Sequence, residues 1–487
     1  MAHANESNRG MIGKFTVLSG AARELWLTFA VKLLGFAAYA VTNLTLKLWL
    51  SSEFHFSDQQ ALGIVSVWAI SMTVATLAVG ALTDAVGLRK AFFMGIWICI
   101  VARAVMAFCP VPWMALAFGL FPLAVGEALG TPALIAAVRK FSTTPQRSIS
   151  FSMAYMIQNV GSLAAGYIFD WVRQGMGEHG QLTFAGTSLT TYRVLFLVSW
   201  GIELTLLPLV WFMRPRVEVT DDGVTVAPPP PRQPAVSLPR ALWRSVRDSA
   251  RATGRIFAAL YREQGFYRLL MFLLLIAFLK LIMMQMYYVF PQFGIRELGE
   301  GAPVGRLWAL NAWIVIPAVP LIGALTQRFP AYRMVTLGGI ISAASVFIMA
   351  LPLGWFGALA DTAPAQWFAH YYLGVGGPVN PYYVMIGLFV VMLSLGEAFY
   401  SPRVYEYAAA IAPKGQEASY GALSYIPFLI AKLMVGTFSA ALLARYCPAA
   451  GERHSGTMWL FVALTASVAP IGLLVFRRFI RVREAGR

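Results

Sequence analysis

The chain has 487 residues, of which 58% are hydrophobic and only 12% are charged, and its mean hydropathy is +0.65. This balance excludes an ordinary soluble globular protein and is typical of a polytopic membrane protein. In a soluble protein the formal charge of +16 would suggest a nucleic-acid partner, but here Lys and Arg lie at the ends of apolar segments and in one linker. We therefore interpret them as determinants of membrane topology and expect no nucleic acid as partner.

The residues that usually carry chemistry form no recognisable site in the sequence. Cys99, Cys109 and Cys447 have neither metal-ligand spacing nor the pattern of a disulfide framework. We find no nucleophile triad, phosphate-binding loop, metal-ligand cluster or ATP-binding motif, which argues against an enzyme and against a primary pump. We expect no cofactor and no metal. The N-terminus is polar up to about Ala22 and lacks a cleavable signal pattern, so the first span must act as the insertion signal.

Twelve apolar segments are long enough to cross a bilayer, which takes about 20 residues in a helix. The six N-terminal segments cover residues 25–50, 61–83, 91–109, 113–138, 149–170 and 194–213. The six C-terminal segments cover residues 267–293, 307–326, 334–352, 382–408, 419–443 and 458–476. We predict an all-α membrane protein with twelve transmembrane helices in two six-helix bundles.

The composition divides the chain into five parts. A cytoplasmic tail, 1–22, precedes the N-terminal bundle, 23–213, and the C-terminal bundle, 266–478, precedes a basic cytoplasmic tail, 479–487. Residues 214–265 between them form a linker with a Pro-rich piece, APPPPRQP, followed by an Arg-rich stretch. Apolar residues alternate with arginines in that stretch at helical spacing, which favours an amphipathic helix on an anionic leaflet. A solvated linker is the open alternative.

The distribution of Lys and Arg predicts the orientation in the membrane. One side carries most of them, including Arg139, Lys140, the linker arginines and the 477–487 tail, whereas the other side carries few, such as Arg173, Arg296 and Arg445. Cytoplasmic loops hold the excess of positive charge, so both termini and the linker are expected in the cytoplasm. We expect an integral protein of a bacterial inner membrane, and a monomer.

Three sets of positions repeat between the two halves, in register with the span count. They are Gly80-Ala-Leu-Thr-Asp84 with Gly323-Ala-Leu-Thr-Gln327, Gly126-Glu-Ala-x-x-x-Pro132 with Gly396-Glu-Ala-x-x-x-Pro402, and the pair Tyr155 and Gly166 with the pair Tyr425 and Gly436. Each match alone is weak, but together they indicate two parallel halves with pseudo-symmetry. A transporter built this way has its site near the midplane between the halves.

The stretch 396–413, GEAFYSPRVYEYAAAIAP, combines several unusual features. Glu397 lies inside an apolar run, where an ionisable residue costs about 2.5–3.5 kcal/mol and marks a functional site by default. Pro402 can break the helix, and Arg403 and Glu406 are spaced to pair within one turn. Its repeat mate is Glu127, and a permanent ion pair of either glutamate, for example with Lys432, is the structural alternative.

Other polar residues in the spans extend the candidate site. Lys280 lies too deep in the seventh span to reach the interface, so we expect it to face the central cavity or pair with a carboxylate. The expected substrate-binding residues are Tyr39, Asn43, Glu127, Asn159, Lys280, Glu397 and Tyr425, and the expected coupling or gating residues include Lys280, Glu397, Arg403, Glu406 and Lys432. We interpret Glu24 as a solvated end charge, and Arg103 and Glu203 as packing or interfacial charges.

A loop motif resembles a known superfamily. Gly80-x-x-x-Asp84-x-x-Gly87-x-Arg89-Lys90 is similar to the cytoplasmic loop motif of the major facilitator superfamily. That resemblance implies the major facilitator fold, and it implies that Gly80, Asp84 and Arg89 help hold helices together in the outward-facing state.

Two further motifs resemble a narrower family. The run from Tyr155 to Leu163 is similar to the fifth-helix signature of the proton-dependent oligopeptide transporters, and Gly396, Glu397, Pro402 and their neighbours are similar to the tenth-helix pattern. In that family the tenth-helix carboxylate is associated with the substrate amine, which implies this role for Glu397. The chain departs from the family on the first helix, where the family has two acids and an arginine: the first acid is kept as Glu24, but the other two positions are Leu27 and Thr28.

The sequence therefore predicts a secondary active transporter for a small zwitterionic or anionic organic solute, peptide-like or amino-acid-like. It would work by alternating access, with protons as the coupling ion. The open alternatives are a proton-independent uniporter or exporter of the same solutes, a lipid flippase, and a non-transporting membrane sensor or scaffold. The expected partners are a small-molecule substrate, protons and the lipid bilayer.

Overall fold

The computed structural model describes residues 18–184, 186–215, 217–221, 223–226, 247, 264–326, 329–411 and 426–480. Within these ranges twelve long helices occupy the positions of the twelve predicted spans. Apolar composition and length explain them: ten meet the length and hydropathy expected of a membrane span, and the other two, α2 and α5, have 29 and 33 residues.

We number these helices α1 to α12 in chain order. In the first half they are α1 Arg23–Phe54, α2 Asp58–Val86, α3 Leu88–Phe108, α4 Pro112–Lys140, α5 Thr144–Met176 and α6 Thr191–Trp211. In the second half they are α7 Gln264–Tyr288, α8 Val304–Leu325, α9 Ala331–Ile348, α10 Pro381–Ile411, α11 Ile426–Tyr446 and α12 Ser455–Val475.

Short elements fill the connections. Hairpin β1–β2, Gln181–Phe184 with Thr187–Thr190, precedes α6, and hairpin β3–β4, Val217–Thr220 with Gly223–Val226, follows it. Helix Phe290–Leu298 follows α7 after a break at Val289. The loop before α10 contains the short helical turns Leu353–Phe356, Gly357–Ala360, Ala363–Trp367 and Phe368–Tyr372, and Arg477–Ile480 follows α12.

The hairpin β3–β4 was not expected from the sequence, which treats its residues as the start of a linker. Val217 and Val219 alternate with exposed residues and are buried in a core with Phe141 and Val138 at the end of α4. Burial of one face therefore fixes this hairpin. The predicted amphipathic helix falls mostly on residues outside the described ranges.

The chain divides into two compact units. Unit 1 comprises Met1–Tyr39, Ser71–Gly161 and Phe196–Ala252, and unit 2 comprises Ala40–Ile70, Ser162–Leu195 and Thr253–Arg487. The core of unit 1 is apolar and includes Leu25, Phe29, Ile96 and Ile100. In unit 2 the most extensive packing joins α9 to α10. The predicted bundle limits, 23–213 and 266–478, stay a prediction.

Glycines of the predicted repeat occupy equivalent helix crossings. In unit 1 a Cβ on Gly126 would lie 2.6 Å from Cys99 Sγ, so α4 packs tightly on α3. In unit 2 a Cβ on Gly396 would lie 2.2 Å from Ser342 Oγ, so α10 packs in the same way on α9. Only glycine permits such an approach, which gives the sequence repeat a packing function.

A second pair of repeat glycines closes crossings inside unit 2. A Cβ on Gly166 would lie 2.4 Å from the Gly305 carbonyl oxygen, which brings α5 against α8. A Cβ on Gly436 would lie 2.4 Å from Ser66 Oγ, which brings α11 against α2. The repeat predicted from the sequence thus corresponds to paired close crossings.

Helix α10 runs without interruption through Pro402, although the sequence allowed a break there. Prolines are tolerated in membrane helices because neighbouring groups and small backbone adjustments satisfy the freed carbonyl. Glu397 and Arg403 therefore lie on one continuous helix.

Candidate functional site

Lys280 is buried in unit 2 among polar and aromatic side chains. Helix α7 places it opposite α10, where its Nζ donates to Ser401 Oγ at 3.2 Å. The ammonium group also lies 4.9 Å from the centre of the Tyr400 ring and 4.8 Å from that of Phe428. Such distances allow cation–π attraction, which stabilises a cation without neutralising it.

Glu397 lies one helical turn from Ser401 and interacts electrostatically with Lys280. Its Oε2 accepts a hydrogen bond of 3.0 Å from Asn311 Nδ2 of α8, which also donates to Ser394 Oγ. Among the residues that the structure describes, neither Glu397 nor Lys280 forms an ion pair. Unit 2 therefore holds a buried cation and a buried anion side by side, each with neutral partners.

Glu127, the repeat mate of Glu397, has a different environment in unit 1. Its Oε1 accepts a hydrogen bond of 2.6 Å from Arg103 Nη2, and Arg103 Nη1 donates to Glu203 Oε2 at 2.9 Å. Lys32 of α1 interacts with Glu127 electrostatically. Arg103 and Glu203 are therefore not interfacial charges, which was one of the two roles expected from the sequence, because α3 and α6 turn them inward onto α4.

Glu24 is also buried, contrary to the sequence interpretation of a solvated end charge. Both of its oxygens accept hydrogen bonds from Arg214, from Nε at 2.6 Å and from Nη2 at 3.0 Å. The chain beyond α6 returns to the start of α1 and supplies this cation. Glu24 therefore fixes the end of unit 1.

The expected cavity residues have mixed environments. Asn43 is buried and its Oδ1 accepts a 2.7 Å hydrogen bond from the Tyr288 hydroxyl. Asn159 Nδ2 donates to the Tyr155 carbonyl one turn earlier in α5. The Tyr39 ring packs on Phe36, with 5.4 Å between ring centres. Tyr425 lies outside the described residues, and a substrate-binding role for all of these positions stays a prediction.

Three of the expected coupling and gating residues have described hydrogen bonds to backbone or hydroxyl groups. Arg89 Nη2 donates to the Trp211 carbonyl at 2.8 Å, Arg403 donates to Thr326 Oγ1 at 3.0 Å, and Lys432 Nζ donates to the Ala69 carbonyl at 3.2 Å. The ion-pair partner of Glu127 is Arg103 and not Lys432, which the sequence offered as an example. The Lys432 side chain instead connects α11 to α2. The side chains of Asp84 and Glu406, and the surroundings of Gly80, lie outside the described set.

Sequence reasoning missed an ionic network in unit 2, at the end expected to be non-cytoplasmic, which we call the outer network. Asp58 receives Lys47 Nζ at 2.6 Å and both terminal nitrogens of Arg296 at 2.9 Å, and Lys47 also donates to Gln292 at 2.7 Å. The exposed side-chain fractions are only 2% for Lys47, 8% for Arg296 and 11% for Asp58. The one available signal was Lys47, a lysine inside the apolar first span.

Asp170 adds a second connection in the same unit. Its two carboxylate oxygens accept hydrogen bonds of 2.7 Å from the backbone N–H groups of Gly305 and Arg306, at the N-terminus of α8. A carboxylate there satisfies orphan donors and complements the helix dipole. Because Gly166 of the same helix packs on Gly305, α5 and α8 are joined both by close contact and by hydrogen bonds.

One group of potential metal ligands occurs among the described residues. Ligand atoms of Glu178, His179 and Glu300 lie within 4.8 Å of one another. His179 and Glu300 are exposed, and exposed acidic groups of this kind are common without a metal, so we assign no ion to them.

The sequence profile described as the Major Facilitator Superfamily matches residues 28–386 of the chain. The chain belongs to the major facilitator superfamily. Comparison with curated proteins finds none that matches significantly. The twelve helices of this major facilitator protein and the paired repeat glycines agree with that assignment, so the predicted fold class is confirmed.

The solved structures that are similar to this chain include peptide transporters. A crystal structure of a variant of the peptide transporter POT has a TM-score of 0.69 at 17% identity, with 97% of this chain and 96% of that chain covered. A POT family transporter in complex with 5-aminolevulinic acid has a TM-score of 0.67 at 14% identity, with coverage of 94% and 97%. The POT family transporter PepTSo has a TM-score of 0.65 at 14% identity, with coverage of 95% and 99%.

Proposed function

We propose that this major facilitator protein is a proton-coupled secondary transporter, not an enzyme, for small zwitterionic solutes of the peptide or amino-acid class. The observation that carries the proposal is the pair Lys280 and Glu397, buried next to each other with neutral partners. Membership of the superfamily supports transport by alternating access. We further propose a bacterial inner-membrane location with both termini in the cytoplasm.

The chemistry of the pair suits a solute that carries both charges. Buried ions are costly unless they are paired or hydrogen-bonded. A solute carboxylate can approach the Lys280 ammonium group in place of Ser401, and a solute ammonium group can approach the Glu397 carboxylate. Each side chain then gains a direct ion pair, which the described residues do not give it.

Structural likeness supports the same solute class. The related fold of a POT family transporter holds 5-aminolevulinic acid, a molecule with an amine and a carboxylate. At 14% identity this similarity shows only a shared fold. The proposed solute specificity depends on Lys280 and Glu397.

The outer network supports alternating access. Lys47 and Asp58 belong to the end of α1 and the start of α2, whereas Arg296 belongs to the helix that follows α7. These contacts hold together segments from the two halves of the sequence. We infer that they close the non-cytoplasmic end and must break when that end opens.

Uptake into proteoliposomes tests the proposal. The purified protein is reconstituted, and accumulation of labelled dipeptides and amino acids is measured with and without an imposed pH gradient. We expect accumulation by the wild type, which requires the gradient, and loss of accumulation in Glu397→Gln and in Lys280→Ala.

Glu53→Gln is the matched control, because it removes another buried carboxylate of unit 2 that already has an ionic partner, Arg193. Transport near the wild-type level by both Glu397→Gln and Lys280→Ala would refute the proposed site. Uptake that only equilibrates the labelled solute across the membrane, with or without the pH gradient, would instead support a proton-independent uniporter.

A further inference from the structure

We propose that Glu127, Arg103 and Glu203 form a proton-binding triad in unit 1, in which Glu127 takes up and releases the proton. The use of this proton in transport rests on the proposed function, whereas the existence of the site does not. The triad involves α3, α4 and α6 and does not include Lys280 or Glu397, the two residues that the proposed function assigns to the solute; it gives Glu127 a role in proton binding in place of the substrate-binding role expected from the sequence.

The contacts of Arg103 give the two carboxylates different roles. Arg103 is fully buried and each of its terminal nitrogens holds a different carboxylate, at 2.6 Å and 2.9 Å. If Arg103 had only one carboxylate partner, protonation of that carboxylate would leave a buried guanidinium without a counter-ion, which is strongly unfavourable. Here Glu203 keeps the guanidinium neutralised while Glu127 binds a proton.

Exposure determines which of the two carboxylates exchanges the proton. The Glu127 side chain is 17% exposed, whereas Glu203 is 6% exposed and Arg103 is not exposed. Glu127 is therefore the most exposed member of the triad, and we assign proton exchange to it. Glu203 is the fixed counter-ion.

The remaining groups around the triad define its charge. Lys32 of α1 interacts electrostatically with Glu127. The Lys32 Nζ atom lies 5.5 Å from the centre of the Phe36 ring. Cys99 of α3 interacts electrostatically with Arg103. Helix α2 contributes apolar Met72 and Ala75 to the packing against α4.

Within the described set, two anions and two cations make this group neutral when Glu127 is ionised. Protonation of Glu127 therefore leaves one net positive charge, that of Lys32, because Glu203 still neutralises Arg103. A charge change of that size inside an apolar bundle is sufficient to alter the preferred conformation.

The backbone near Glu127 favours local switching. Gly126 packs against Cys99 Sγ and the Gly95 carbonyl, so α4 cannot approach α3 more closely. The Glu127 side chain can exchange Arg103 for a proton by rotation, without a shift of its helix.

A substrate-independent measurement tests the site. Infrared difference spectra of the purified protein are recorded as the pH is lowered, and the C=O stretching band of a protonated carboxyl group is followed. We expect a band in the wild type that is lost in Glu127→Gln. In Glu203→Gln the band should form only at lower pH, because Arg103 then has Glu127 as its single carboxylate.

These outcomes separate a proton site from a permanent ion pair. A wild type without the band, or a band that persists in Glu127→Gln, would overturn the proposal. Thermal unfolding of each variant verifies that it is folded, and Glu53→Gln is again the matched control for a paired buried carboxylate.

A transport measurement then tests coupling. Glu127→Gln should lose accumulation driven by a pH gradient but retain exchange of labelled for unlabelled solute, whereas Glu397→Gln should lose both. Gradient-driven accumulation at the wild-type level in Glu127→Gln would contradict the coupling role. If no tested solute is transported, the proposed function fails while the infrared titration still decides the proton site.

Discussion

Replacing Asp58 by asparagine should open the outer end of unit 2, because it removes the carboxylate that pairs with both Lys47 and Arg296. The substitution keeps the size of the side chain but leaves two buried cations facing a neutral amide. Removing one partner of a buried ion pair typically costs about 3–5 kcal/mol. If the substitution destabilises the closed state by the lower of these values and leaves the open state unaffected, the equilibrium between closed and open states shifts toward the open state by roughly 100-fold.

Cys447 reports this opening. It is buried at the end of α11, and its carbonyl oxygen accepts a hydrogen bond from Arg296 Nη1. Burial raises the pKa of the Cys447 thiol, so the reactive thiolate is scarce as long as the end is closed. A membrane-impermeant maleimide should therefore label Cys447 slowly in the wild type.

The assay uses a background in which the partly exposed Cys109 is replaced by serine. Labelling of Cys447 in Asp58→Asn should be roughly 100-fold faster than in that background, which follows from the shift above. Glu452→Gln, which removes an exposed carboxylate of the same loop, should leave the rate unchanged. A folded Asp58→Asn protein with labelling within about twofold of the background would refute the network's role in closure.

Two further substitutions test the packing account. Gly166→Ala should destabilise the protein by about 1–3 kcal/mol and lower the thermal unfolding temperature, because the new methyl group meets the Gly305 carbonyl. Gly130→Ala is the control, because no atom lies within 4 Å of its new methyl group. Equal unfolding temperatures of the two variants would contradict the close crossing. Glu24→Gln should also lower the unfolding temperature, since it weakens the two hydrogen bonds from Arg214, and an unchanged temperature would show that this pair contributes nothing to stability.

Much of the fold could be predicted because hydropathy reports what the bilayer requires. Each span must bury its backbone polar groups in a helix of sufficient length, so the twelve segments follow from composition alone. The repeat glycines were visible as a spacing, and the structure gives them their function at close crossings such as Gly126 on Cys99.

The partners of the charged residues could not be predicted in the same way. Sequence position gives the depth of Arg103 in α3, but whether it faces lipid or Glu127 depends on how each helix is rotated about its axis. The same limit applies to Asp58, which the sequence places at the start of a span and the structure places between two cations from distant segments. Lys280 and Glu397 were found because their burial in apolar runs is itself the signal.

If Lys280 and Glu397 bind the two charges of one solute, removing the solute carboxylate and removing the Lys280 side chain should have linked effects on binding, which a thermodynamic cycle measures. Calorimetry measures binding of a dipeptide and of its C-terminal amide, which lacks the carboxylate, to the wild type and to Lys280→Ala. We predict that amidation weakens binding to the wild type at least tenfold and has little effect on Lys280→Ala, because the carboxylate has lost its partner. An equal loss on amidation in both proteins would contradict the claim.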